Sequence, residues 1–119
     1  MKSNIEVRDG YVYLRFSGEW DSEKIKKALQ ETREECNRLH NSKVLIDFLN
    51  LNFDNMNISN RIVFSTLLFD AFEYLPDAQI ASIIDEESYD DTVETFDNMK
   101  PFGYKVFHTK YDAISWLIE

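Results

Sequence analysis

Three polar clusters in this sequence could do chemistry, because each of them follows a short apolar run. The clusters are Asp47 with Asn50 and Asn52, Asp85 with Glu86 and Glu87, and His108 with Thr109. In a parallel sheet, sites form just beyond the carboxyl ends of the strands, so the three clusters could meet there. Their carboxylates could bind Mg²⁺, which prefers oxygen ligands, or could act as a general acid and base.

Structural roles explain the same residues more simply. The acidic residues Glu86, Glu87, Asp90 and Asp91 lie near the start of a predicted helix, whose free N–H groups and dipole favour negative charge. Asp47 could cap a loop with its carboxylate. No Ser or Cys nucleophile accompanies His108, and the isolated glycines form no phosphate-binding loop. We therefore predict no catalytic residue, no metal site and no cofactor. A metal-dependent enzyme that uses Asp47, Asp85 and His108 is the second alternative.

The elements that would position these residues are organised around the apolar run at 43–49. Such a run between polar segments is typical of a strand buried on both faces, as in the centre of a parallel sheet. An amphipathic helix is predicted before it, at 22–40, and a more apolar helix after it, at 60–74. Strands that alternate with helices predict an α/β sheet.

The start of the chain predicts a β-hairpin. Asp9-Gly10 favours a tight turn, because Gly tolerates positive φ, so the first strand should be antiparallel to the second. In the second strand, Val12, Leu14 and Phe16 share the face that we expect to lie on the core. The remaining predicted elements are strands at 79–85 and 104–108 and helices at 89–99 and 110–118. Residues 1–119 are thus predicted to form a single α/β domain with a mixed sheet of about five strands and four helices.

Composition excludes several classes of partner. The chain has 22 acidic and 13 basic residues and a formal charge of -9. Nucleic-acid binding and attraction to anionic membranes both depend on Lys and Arg, so we predict neither. No apolar stretch is long enough to span a membrane or has the form of a signal peptide, so we expect a cytoplasmic protein. Cys36, the single cysteine, is predicted to be a buried apolar thiol on the first long helix.

The more informative feature is an excess of apolar residues between 51 and 69. The helix at 60–74 has more apolar positions than one core-facing stripe can use, and Phe64 and Phe69 are candidates for a second face. We predict a contact surface here for a protein partner or a second copy of the chain. Its predicted residues are Phe53, Met56, Arg61, Phe64, Leu68 and Phe69. The first alternative is a carrier or sensor of a small apolar, lipid-like ligand, in a pocket lined by Phe53, Phe64, Leu68 and Phe72 with Arg61 at its rim.

Three parts of the chain carry a resemblance to a known group. They are the opening hairpin, Val44-Leu45-Ile46-Asp47 before a loop and helix, and Gly103-Tyr104-Lys105-Val106-Phe107-His108-Thr109 leading into Ala113-Ile114-Ser115-Trp116-Leu117. The sequence resembles the STAS-like families, named for the sulfate-transporter and anti-anti-sigma-factor domain, and most of all their small bacterial single-domain members. The resemblance covers nearly the whole chain. It implies a non-enzymatic interaction or ligand-binding module, and the related lipid-binding CRAL-TRIO group implies the apolar ligand of the first alternative.

One motif of anti-sigma-factor antagonists is missing. In those proteins a phosphorylatable Ser lies in an Asp-Ser-Ser/Thr-Gly segment soon after the strand that ends in Asp-Leu. Here Asp54-Asn55-Met56-Asn57 stands at about that place and has neither hydroxyl nor Gly, while Ser59 is out of register. The resemblance therefore implies protein interaction without the phosphorylation switch.

Overall fold

The computed structural model describes residues 1–52, 58–85 and 103–118, and it describes residues 58–61 without their side chains. The elements in chain order are β1 (Lys2–Arg8), β2 (Tyr11–Glu19), α1 (Ser22–Leu39), β3 (Lys43–Asn52), α2 (Ile58–Phe72), β4 (Gln79–Ile83), β5 (Gly103–Phe107) and α3 (Lys110–Ile118). The predicted helix at 89–99 lies outside the described residues.

The five strands form one mixed sheet in the order β1-β2-β3-β4-β5. β1 runs antiparallel to β2, and the other neighbouring strands are parallel. Gly10 has a φ of 92°, which a side chain would disfavour, so the hairpin forms where Asp9-Gly10 predicted it. The predicted α/β class and mixed five-stranded sheet are confirmed.

Helices α1 and α2 cover one face of the sheet. The buried residues of α1 follow its predicted apolar stripe and are Ile25, Ala28, Leu29, Thr32 and Cys36. Asp21 begins this helix by accepting hydrogen bonds from the backbone N–H groups of Glu23 and Lys24. On the sheet, Val12, Leu14 and Phe16 are fully buried beneath these helices, as their alternation predicted.

Helix α3 covers the opposite face and forms a second, smaller core. Ala113 and Leu117 of α3 pack there with Leu45 and Tyr13, among others. The alternation in β2 had assigned only one of its faces to the core, yet Tyr11 and Tyr13 are 8% and 4% exposed. Their burial follows from the packing of α3, which lies about 100 residues away along the chain.

Gly103 provides a test of the packing between β4 and β5. A Cβ atom at this position would lie 2.9 Å from the backbone carbonyl oxygen of Ala78. Since backbone cannot move aside as a side chain can, Gly103→Ala should lower the free energy of unfolding by about 1–3 kcal/mol, measured by urea denaturation. Gly10→Asn is the control, because Asn tolerates positive φ, and its loss should be smaller. An unchanged stability for Gly103→Ala would contradict this close packing.

Candidate functional site

Helix α2 has a core face and an outer face. Phe64 and Leu68 are 2% and 1% exposed, and Phe64 makes edge-to-face contacts with Phe48 and Trp20, with centroids 5.1 Å and 6.2 Å apart. Phe64 therefore belongs to the core face, and the expectation that it lies on a second face is wrong. Phe69 lies on the outer face, as expected, and is 41% exposed.

Three further residues share the outer face with Phe69. Ile62 and Val63 are 46% and 39% exposed, and Thr66 lies between them and Phe69 on the helix. We call Ile62, Val63, Thr66 and Phe69 the outer stripe. Neither Ile62 nor Val63 was among the predicted contact residues. Helical periodicity could have predicted this exposed face, because a core stripe through residues 64, 68 and 72 places residues 62, 66 and 69 on the opposite side of the helix.

The remaining predicted contact residues are Phe53, Met56 and Arg61. Phe53 and Met56 lie outside the described residues. Arg61 lies in the first turns of α2, and its side chain is also outside the description. Leu51, at the end of β3, is buried in the larger core. Among the predicted contact residues with described side chains, Phe69 is exposed in the outer stripe, whereas Phe64 and Leu68 are buried in the core.

A β-bulge precedes the link from β3 to α2. Arg15 pairs with Asp47 and Ser17 pairs with Asn50, so β3 advances three residues while β2 advances two. The extra residue reverses the alternation of β3. Leu51 therefore lies on the same face as Phe48, beneath α1 and α2, and Leu49 is left 47% exposed.

The buried carboxylate of Asp47 holds this bulge. Its Oδ1 accepts a hydrogen bond from the backbone N–H of Leu49 at 2.9 Å, and its Oδ2 accepts one from the Tyr13 hydroxyl at 2.5 Å. Burial and the hydrogen bond to Asp47 raise the pKa of Tyr13, so the hydroxyl stays protonated and continues to donate. The carboxylate therefore has a structural role that resembles the predicted loop cap.

Asp85 and His108, the described residues at the other strand ends, do not join Asp47 in a metal site. Asp85 lies just beyond β4 and is half-buried, and His108 follows β5 and is exposed. Among residues 1–52, 58–85 and 103–118, no three His, Cys, Asp or Glu side chains are grouped so that they could hold a metal ion. Glu86 and Glu87 lie outside these ranges.

Cys36 is 1% exposed and lies in the larger core, as predicted. Burial, with a smaller contribution from the neighbouring Glu35 carboxylate, raises the pKa of its thiol to about 11. The reactive thiolate is therefore scarce near neutral pH.

Comparison with solved structures identifies the architecture. The chain has a STAS-like fold, and two structures of anti-sigma factor antagonists share it over nearly their whole length. An anti-sigma factor antagonist from Mycobacterium paratuberculosis superposes with a TM-score of 0.69 at 18% identity, over 99% of this chain and 94% of that one. The unphosphorylated form of the anti-sigma factor antagonist SpoIIAA superposes with a TM-score of 0.52 at 16% identity, over 98% and 97%. The expected STAS-like fold is confirmed.

No protein-family model matches the sequence, and no curated protein matches it. Within the described part of the chain, no helix is long and apolar enough to cross a membrane.

Asp47 can be tested by comparing two substitutions. Asp47→Ala leaves the Leu49 N–H and the Tyr13 hydroxyl without their acceptor, so the free energy of unfolding should fall by about 2–4 kcal/mol in urea denaturation. Asp47→Asn keeps an acceptor for Leu49 and should lose less. Equal losses for both variants would show that the hydrogen bond to Leu49 does not hold the bulge.

Cys36 should be protected from alkylation in the folded protein. Iodoacetamide at pH 8 should label it slowly in buffer and rapidly in concentrated urea, because folding removes both solvent access and thiolate character. Mass spectrometry counts the label. Equally fast labelling in buffer and in urea would show that the thiol is accessible in the native state.

Proposed function

We propose that this protein is a non-enzymatic regulatory module that binds a protein partner through the outer stripe of α2. The observation that carries the proposal is the exposure of Ile62, Val63 and Phe69 on one helix, each by about two-fifths of its surface. Single exposed apolar residues are ordinary, whereas a contiguous group of them is typical of an interaction site.

The surroundings of the stripe have the character of an interface. Asp70 and Glu73 are exposed beside Phe69, so an apolar centre is bordered by charged residues. Protein interfaces commonly combine an apolar, aromatic centre with a polar rim. The opposite side of α2 is committed to the core through Phe64 and Leu68, so binding at the stripe leaves the fold intact.

The structural neighbours support a protein as the partner. Both are anti-sigma factor antagonists, a designation that describes action on another protein. One of them is described in an unphosphorylated form. Because Asn55, Met56 and Asn57 carry no hydroxyl, we do not extend phosphorylation at this segment to the present chain. We propose that the module works in the bacterial cytoplasm.

The two alternatives have less support from the described residues. The carrier would need space beside Phe64, Leu68 and Phe72, but these side chains pack in the core with Phe48. The enzyme would need a free carboxylate on Asp47, but both of its oxygens accept hydrogen bonds from this chain. We therefore prefer the interaction module.

Phe69→Glu tests the proposal by placing a charge in the outer stripe. The position is already exposed, so the melting temperature should change little, whereas partner binding should fall about tenfold or more. Tyr111→Glu is the matched control, because Tyr111 is an exposed aromatic residue on α3, across the sheet. The measurement is quantitative capture of proteins from a lysate of the source organism by immobilised wild type and variants.

Native mass spectrometry of the same proteins separates a foreign partner from a second copy. A dimer that Phe69→Glu dissociates and Tyr111→Glu preserves would identify the chain itself as the partner. The proposal fails if wild type is monomeric and captures no protein, or if both variants capture the same proteins as wild type equally well.

A further inference from the structure

A groove runs between α1 and α2 beside the outer stripe. Its cavity volume is about 150 Å³, and Leu67 and Ala71 of α2 give it an apolar wall. Gln30 and four charged residues line the rest, and the charged residues are Lys26, Arg33 and Glu34 of α1 and Asp70 of α2. The groove thus combines apolar surface with groups that can form charge-assisted hydrogen bonds.

Arg33 is the unusual residue of this groove. It is half-buried, and its Nε atom has neither solvent-accessible surface nor a hydrogen-bond acceptor among the residues that the structure describes. Arg38, on the same helix, donates from Nε and Nη2 to Glu35 at 3.2 Å and 2.7 Å. The Arg33 guanidinium thus differs from that of Arg38, because it has no acceptor among the described residues.

The carboxylates that line the groove do not pair with Arg33. Glu34 is its neighbour in sequence, and adjacent residues of a helix point in different directions. Asp70 approaches from α2, yet in the described part of the chain Arg33 forms no ion pair with it or with any other carboxylate. The guanidinium is therefore left available for an acceptor from another molecule.

We propose that Arg33 anchors a carboxylate side chain of the protein partner, seated in the groove while the partner covers the outer stripe. The inference rests on the proposed function and adds the chemistry of one contact. Val63, Leu67 and Asp70 are successive neighbours on α2, so the stripe and the groove form one continuous surface. Since Nε is enclosed, the two Nη atoms are the donors that face a partner, and a guanidinium can bind both oxygens of a carboxylate.

The charge of the groove limits its ligand to a single acidic group. Lys26 and Arg33 are balanced by Glu34 and Asp70, so a polyanion would gain little from the groove as a whole. One carboxylate can bond to Arg33 beside the apolar wall, where partial exclusion of water strengthens the interaction relative to open solvent. An acidic side chain on a protein surface has this chemistry.

The direct test follows the Arg33 Nε–Hε resonance of the full chain by NMR during titration with N-acetylglutamate. A saturable shift at millimolar concentration is expected, while neutral N-acetylglutamine at the same ionic strength should produce none. Arg38 is the internal control and should not show a saturable response. Equal responses to both compounds, or none, would overturn the proposal. Tighter saturation by inorganic phosphate than by N-acetylglutamate would overturn the assignment to a carboxylate.

Arg33→Met separates a binding role from a structural one. Methionine keeps much of the apolar packing of the arginine stem and removes the unpaired Nε, so the melting temperature should stay unchanged or rise. A marked fall would show that Arg33 serves the fold and would overturn the proposal. In the capture assay, Arg33→Met should weaken partner binding about tenfold. If Phe69→Glu weakens capture and Arg33→Met does not, the outer stripe stands and the Arg33 anchor fails.

Discussion

The face of the sheet on which the end of β3 places its side chains depends on the buried carboxylate of Asp47. With an unbroken alternation, Leu51 would share a face with Leu45 and Asp47, beneath α3. The bulge places Leu51 on the other face, with Phe48, where α2 packs. The Leu49 N–H and the Tyr13 hydroxyl both donate to this carboxylate, so one buried group connects β2 with the bulged part of β3.

The two-sided burial of the sheet explains why a carboxylate can be held in this position. Tyr13 lies on the face covered by α3, and cationic groups of Lys110 and Arg8 lie 4.5 Å and 5.5 Å from the centre of its ring. These cations pack against the ring of the phenol whose hydroxyl donates to the Asp47 carboxylate. Tyr13 of the smaller core thus holds the carboxylate of Asp47, at the bulge that places Leu51 in the larger core.

Local signals predicted the elements, whereas contacts between distant segments determined the site. Asp9-Gly10 and the apolar run at 43–49 were sufficient for the hairpin and the central strand, because turn chemistry and apolar clustering act over a few residues. The burial of Tyr13 depends on α3, and the bulge depends on the pairing of β3 with β2, so neither has a local signature. Phe64 was placed on the wrong face because a strongly apolar helix has no sharp boundary between its faces; its register against the sheet decides which residues are covered.

Because both faces of α2 carry apolar residues, the helix packs in the core with one face and exposes apolar side chains on the other. A helix with a polar outer face would pack equally well through Phe64 and Leu68, so stability of the fold does not account for Ile62, Val63 and Phe69 at exposed positions. Nor does stability account for Arg33, whose enclosed Nε disfavours the free protein relative to an apolar residue of similar length. These features lie side by side on one surface, and a partner of the proposed kind would cover the apolar stripe and place a carboxylate at the Nη atoms of Arg33.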